Sequence, residues 1–547
     1  MKSFSHDHSH CGVGFITSLT NDANFETLQL GLKGLSNVEH RGGSSEGETY
    51  GDGAGVMTSV PYELFGIDEK QAVAMIFAPA NEDRFKKAIG VFETTFAQYG
   101  LNVMGYRDVP TKPEALGEKA ITSMPRIIQA FIKRPKHCRT MTSFDDLLYF
   151  AKQMVRTNGR KSGLSDELYF TSLSSRSIIY KALATSDQLD EFYPDLKNNQ
   201  FKTKFVLFHR RFSTNTLPSW DKVQPFRVVA HNGEINTIEG NRAAAKSREL
   251  ALGLRVDQIL TSEGASDSGN LNEMVESLKY RSSMPFVKDI LAIMIPPAQA
   301  HKSSYFKFWS RAMEPWDGPA LISYCDGKKI GARLDRSGFR PCRWTRTDKY
   351  FALCSETGSF EFDPALIKQE GALSAGQTVN VHLFKGDIDF DNPDKLEDNQ
   401  DVFFDSRLKL LPYLSSENNE HLLEKMNVFY YTKEDLSKEL YPIIVDGKGP
   451  IGSMGDTATL VPMSYIHRSI YDYFYQDFAQ VTNPPLDYIR EKMVTSLSVY
   501  LGRKPNIFST KELIPPYKAI ELDSPVLSLG QMEKLNLESN LEKICIC

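Results

Sequence analysis

Long apolar runs are scarce in this chain of 547 residues, and so are cysteines and any surplus of charge. The longest apolar runs, such as Ile290 to Pro297, fall far short of the roughly 20 residues a membrane-spanning helix needs. Residues 1 to 10 are rich in Ser and His and lack the apolar core of a secretory signal, so the expected compartment is the cytoplasm. The seven cysteines (11, 138, 325, 342, 354, 545, 547) are scattered and odd in number, which argues against a disulfide scaffold and for a reducing compartment. With 64 basic and 69 acidic residues the net charge is -5, which gives no general attraction to nucleic acid or to an anionic membrane. Neither is expected as a partner.

What is present is an ordinary globular composition, 41% apolar and 24% charged. The length exceeds the size at which one hydrophobic core keeps growing, so two or more domains are expected. The periodicity predicts a short strand over 11–19, a helix over 25–36 on Phe25, Leu28, Leu32 and Leu35, a Gly-rich polar stretch over 40–55, and a strand over 56–60. From about 80 to 200, amphipathic helices such as 84–99 and 144–156 mix with short strands such as 168–173, as in an elaboration on a core. Strands follow at 205–208 and 227–230, and a helix at 236–251. Segments 320–324, 329–335 and 350–354 read as a β-meander, with Asp326-Gly327 as a hairpin turn. The acidic stretch 390–405 reads as a linker, and 419–441 and 464–480 as helices, the second stopped by Pro484-Pro485.

Cys11, ahead of Gly12-Val13-Gly14 and an apolar run, has two readings. It is a small buried residue of an ordinary strand, or a nucleophile opening that strand with its own backbone amine as base. The second requires removal of residues 1–10, because an amide nitrogen is no base. His6, His8 and His10 in that leader read either as metal ligands or as part of a solvated pro-segment. Asn232-Gly233 reads as a hairpin turn, or as a side-chain amide and an unobstructed N–H converging as an oxyanion hole. Arg211, just after a buried strand, makes a salt bridge or offers a planar fork to a carboxylate. Ser266-Asp267-Ser268 is a helix N-cap, and Asp267 can alternatively pair with an ammonium group. Taken together these residues fit glutamine: Arg211 for the α-carboxylate, Asp267 for the α-ammonium, Asn232 and Gly233 for the amide oxygen, and Cys11 to attack.

The motifs His40-Arg41-Gly42, Gly51-Asp52-Gly53-Ala54-Gly55, Arg211-Phe212-Ser213-Thr214-Asn215-Thr216, His231-Asn232-Gly233-Glu234-Ile235-Asn236, Met313-Glu314-Pro315-Trp316-Asp317-Gly318-Pro319 and Leu334-Asp335-Arg336-Ser337-Gly338-Phe339-Arg340-Pro341 closely resemble the glutaminase domain of the glutamate synthase large subunit, and class II glutamine amidotransferases more widely. The resemblance implies an α+β fold of the N-terminal nucleophile hydrolase type, four layers in αββα order with two stacked antiparallel sheets. It makes Cys11 the nucleophile and its freed α-amine the base, two groups whose reference pKa values, ~8.5 and ~8, are closely matched. It gives Arg41 a role in shaping the loop near the nucleophile. Gly43 and the stretch 44–50 depart from the family's pattern.

Tyr431-Thr432-Lys433-Glu434-Asp435-Leu436, Gly452-Ser453-Met454-Gly455-Asp456 and Gln480-Val481-Thr482-Asn483-Pro484-Pro485 resemble the start of that family's central domain, an α/β segment. The expected organisation is a propeptide over 1–10, a glutaminase domain over 11–415, and the beginning of the central domain over 416–547. Cys545 and Cys547 are too few and too isolated for a cluster ligand set. No cofactor or metal is therefore expected on this chain, and the resemblance places FMN and an iron-sulfur cluster on a separate synthase chain that takes up the ammonia. Two alternatives stay open: a glutaminase subunit for a different acceptor, and a non-catalytic glutamine-binding or assembly module if the leader stays. Self-association into a homo-oligomer also stays open.

Overall fold

The computed structural model describes residues 11–42, 51–164, 167–211, 218–254, 259–391, 421–447 and 496–508, a few single positions within these stretches excepted, together with 520–522, 524, 525, 527, 531 and 532. The leader, the loop 43–50, the loop 212–217, the expected helix 464–480 and the two terminal cysteines lie outside the described residues. The chain divides into two compact units, one of residues 1–407 with 485–521 and one of residues 408–484 with 522–547.

In chain order the strands of the first unit as far as residue 391 are β1 (Gly12–Ser18), β2 (Ala54–Ser59), β3 (Gln71–Ala78), β4 (Asn102–Asp108), β5 (Arg126–Lys133), β6 (Tyr169–Ser174), β7 (Ser177–Ala182), β8 (Phe205–Arg210), β9 (Val229–Gly233), β10 (Ala320–Cys325), β11 (Lys329–Leu334), β12 (Arg343–Arg346), β13 (Tyr350–Cys354), β14 (Gln369–Ala372), β15 (Thr378–His382) and β16 (Ile388–Asp391). A seven-stranded sheet runs β14-β12-β13-β1-β8-β2-β7, and a five-stranded sheet runs β16-β15-β11-β10-β9. The ladders within both sheets are antiparallel.

Alternation along β1 explains the stacking. Val13 and Phe15 join Met57, Leu207, Ala230, Leu321, Ala332 and Val379 in a core shared by both sheets, whereas Ile16 joins Leu28, Leu35 and Val206 on the outer face. The Phe25–Ser36 helix, N-capped by Asn24, covers that outer face. It lies flush on β8: a Cβ on Gly31 would stand 2.4 Å from Val206 Cβ, so a side chain there would force the helix off the sheet. Helices Asp267–Arg281 and Val287–Met294 cover the outer face of the five-stranded sheet through Leu271, Met274, Val275, Ile290 and Leu291. The order helix, sheet, sheet, helix is the expected αββα arrangement.

The elaboration over 80–200 contains a third sheet, β4-β5-β3-β6, packed on helices Glu82–Gln98 and Met141–Lys161. The meander is corrected. β10 and β11 form the expected hairpin, with Gly327 at φ +80° in its turn, but Tyr350–Cys354 crosses to the other sheet and pairs with β1 and β12. The stretch expected as a linker from 390 begins inside β16, and its remainder lies outside the described residues.

In the second unit the expected helix over 419–441 is interrupted. A helix spans Leu422–Val428, and a new helical segment starts at Thr432, whose Oγ1 accepts from Asp435 N at 3.2 Å while Asp435 Oδ2 accepts from Thr432 N at 2.6 Å.

Candidate active site

Cys11 stands immediately before β1 and is buried. In the β1–β8 ladder Gly12 faces Arg210, so the next step outward sets Cys11 against Arg211. β2 flanks β8 on its other side, with Ala54 facing Arg210. Three neighbouring strand ends thus bring residues 11, 53 and 211 together at one end of the seven-stranded sheet.

Arg211 is the one non-glycine residue with a positive φ, +84°, among the described residues. That conformation costs an L residue about 1–2 kcal/mol and persists only where the surroundings dictate it. Here the Arg211 N–H donates to the Gly53 carbonyl at 2.7 Å, and Nε lies 3.3 Å from Asp52 Oδ2. The neighbouring Arg210, fully buried, donates to both Glu39 oxygens at 2.8 Å and to Asp52 Oδ1 at 2.6 Å.

The facing sheet supplies the amide. Asn232 and Gly233 are not in a turn, as the Asn-Gly pair suggests; they close β9 and pair with Leu321 and Ala320 of β10. Asn232 Nδ2 donates to the Cys11 carbonyl at 2.6 Å, while Oδ1 is buried without a hydrogen-bond partner. An NH₂ group carries two donors, so this bond uses one of the two N–H groups. Gly233 has φ +140°, and a Cβ there would lie 1.9 Å from the Pro319 carbonyl. Only glycine fits.

Asp267 is the first residue of its helix, capped by Ser266 Oγ, which accepts from Gly269 N at 3.1 Å. Its Oδ2 accepts from Ile235 N at 3.1 Å and its Oδ1 from Ser268 N at 2.7 Å. Ser268 Oγ in turn lies 2.7 Å from His231 Nδ1, so the helix start is tied to the residue preceding Asn232. The His231 backbone is clamped by the Gln224 amide, with N–H to Oε1 at 2.7 Å and carbonyl from Nε2 at 3.2 Å.

Burial pushes the Cys11 thiol up to about 12; Arg211 and Arg340 pull it down, Asp52 and Asp267 push it further. Burial thus keeps the thiol of the uncleaved chain protonated at neutral pH. The same four charges show what surrounds the sulfur. Arg211 and Asp267 act electrostatically on the sulfur, and so do Asp52 and Arg340, which stood in quoted motifs without an assigned role. Arg41 is not among them. Its Nε donates to Glu356 Oε2 at 2.7 Å, next to the His40–Glu356 contact, which ties the turn at residues 39–41 to the segment after β13.

The sequence model described as glutamine amidotransferases class-II matches residues 11–400. The chain belongs to the class II glutamine amidotransferases. A second model, the glutamate synthase central domain, matches residues 424–546 of this amidotransferase chain. It is 36% identical to ferredoxin-dependent glutamate synthase 2 of Arabidopsis thaliana over 96% of its own length and 34% of that protein's. With the large chain of the NADPH glutamate synthase of Bacillus subtilis it shares 35% identity, over 97% and 36% of the two lengths. The chain thus spans about a third of the curated relatives it matches. Among solved structures, an allosteric regulatory enzyme of purine biosynthesis aligns with 71% of this chain and 50% of its own at 13% identity, with a TM-score of 0.35.

Among the described residues no group of three or more His, Cys, Asp and Glu side chains could hold a metal ion. No helix among them is long and apolar enough to cross a membrane.

Proposed function

We propose that this amidotransferase hydrolyses L-glutamine to glutamate and ammonia through a thioester on Cys11, and that a glutamate synthase part takes up the ammonia. The observation that carries the reading is the hydrogen bond from the Asn232 amide to the Cys11 carbonyl at 2.6 Å, beside the Arg211 and Asp267 charges that act on the thiol. Arg211 binds the α-carboxylate and Asp267 the α-ammonium group. With residues 1–10 removed, the α-amine of Cys11 accepts the thiol proton as sulfur bonds to the side-chain carbonyl carbon. Asn232 Nδ2 and Gly233 N–H hold the developing oxyanion, a contribution of about 3 kcal/mol for each such donor. The amine passes the proton to the departing nitrogen and ammonia leaves. Water, activated by the same amine, then cleaves the thioester and releases glutamate. Arg41 maintains the turn at residues 39–41.

The glutaminase domain covers 11–415 and the beginning of the central domain 416–547; the matches over 11–400 and 424–546 support this division. FMN and iron-sulfur chemistry belong to the synthase part, and the reaction takes place in the cytoplasm. Glutamine hydrolysis by the purified protein and by Cys11→Ala tests the reading. The variant is expected to lose at least about 10³-fold in kcat with glutamine binding retained; a variant of near-normal rate overturns the mechanism.

A further inference from the structure

Asp52 has no part in the chemistry just described, yet it occupies a central position beside the thiol. It lies in the Gly51-Asp52-Gly53 segment ahead of β2, is buried, and gives one oxygen to each of two consecutive arginines: Oδ1 to Arg210 Nη1 at 2.6 Å and Oδ2 towards Arg211 Nε at 3.3 Å. The backbone repeats the arrangement. The Gly53 carbonyl accepts from the Arg211 N–H at 2.7 Å and from Arg210 Nη1 at 3.0 Å.

The two arginines differ in what they can reach. Arg210 has no exposed side-chain surface and is held by Glu39 as well as Asp52, so it serves as a fixed anchor. Arg211 keeps 19% of its side chain exposed and takes the left-handed backbone conformation. A long arginine in a strained turn has many rotamers, and a carboxylate 3.3 Å from Nε favours those that keep the ion pair.

We propose that Asp52 is a positioning residue for substrate recognition: anchored by Arg210, it holds Arg211 in its left-handed turn with the guanidinium plane set to receive the α-carboxylate of the amide substrate. The inference rests on glutamine being bound through Arg211 and deepens that reading. It makes Asp52 act on binding rather than on bond breaking. Its charge also faces the thiol, so neutralising it has a second, separable consequence.

Glutamine hydrolysis by the full chain carrying Asp52→Asn or Asp52→Glu, beside the unsubstituted protein and Cys11→Ala, tests this. D52N keeps an acceptor for Arg210 but loses the charge. Its KM for glutamine is expected to rise about tenfold with kcat within about threefold, and alkylation of Cys11 by iodoacetamide should titrate at lower pH than in the unsubstituted protein. D52E keeps the charge but displaces it by one methylene, so KM rises while the alkylation titration stays in place. Combined with Arg211→Lys, either substitution should cost less than the sum of the two alone, because both act through one contact. An unchanged KM in whichever of the two variants folds, or a fall in kcat at constant KM, overturns the inference. Absence of glutamine hydrolysis by the unsubstituted protein, or its persistence in C11A, instead overturns the underlying function.

Discussion

Cys11 occupies a place that suppresses its own ionisation. In the uncleaved chain burial pushes its thiol up to about 12, and Arg211 and Arg340 oppose that shift. In the proposed mechanism the liberated α-amine takes the thiol proton as sulfur attacks, with the two arginines easing the developing charge. The active amine is the neutral one, so kcat/KM should fall about tenfold per unit as pH drops below the amine's pKa and level off above it. A pH-rate profile flat from pH 6 to 9 would contradict a role for the amine. Asn232→Ala removes one oxyanion donor and should lower kcat about 10²-fold to 10³-fold with KM little changed, measured by steady-state kinetics. These residues were legible because amide hydrolysis demands few side-chain types, and Cys11, Asn232, Gly233, Arg211 and Asp267 stand in recognisable motifs. Asp52 was not legible: its meaning lies in partners such as Arg210, 158 positions away in sequence.

At the scale of elements, the Asp267–Arg281 helix and β9 form a single positioning device. Asn272 Oδ1 accepts from Val228 N at 2.9 Å, and Glu276 accepts from Arg227 at 2.8 Å and from Lys152 of the Met141–Lys161 helix at 2.6 Å, all three charged groups being largely buried. Burial pushes the Glu276 carboxyl up, but Arg227 and Lys152 outweigh it and hold it at about 2, below its ordinary 4.5. Its stabilising contribution is therefore fully present above about pH 4.5 and is lost as pH falls towards 2. Burial and Arg227 already lower Lys152 to about 7, so Glu276→Ala leaves Arg227 as a buried cation and Lys152 a buried amine without their carboxylate, and should cost about 3–5 kcal/mol in denaturant unfolding at pH 7; a loss under 1 kcal/mol would show that the cluster is solvated. The helix and its Ser266 cap could be read from sequence. The end of β9 could not, because Asn-Gly carries a local turn signal that pairing with β10 overrides. β3 was missed for a related reason: Ala72 to Ala78 is buried on both faces, so it lacks the alternation that marks a half-exposed strand.

For the whole molecule, the αββα order follows from which way each strand turns its apolar side chains, and the β-meander reading failed only where β13 leaves its sequence neighbours to complete the nucleophile's sheet. The larger unit carries both sheets and all the described site residues, whereas the chain spans about a third of relatives such as the Bacillus subtilis large chain. In the proposed function the ammonia comes from the side-chain amide of glutamine, released by Cys11 with its liberated α-amine as base, and a synthase part takes it up. The most direct measurement of that claim is the intact mass of the purified protein, with its N-terminal peptide sequenced, after exposure to a glutamine analogue bearing a diazoketone in place of the amide. The account predicts a chain that begins at Cys11 and carries one adduct on that residue, with no adduct in Cys11→Ala. A chain that retains residues 1–10 and yet hydrolyses glutamine, or an adduct on any other residue, would contradict it.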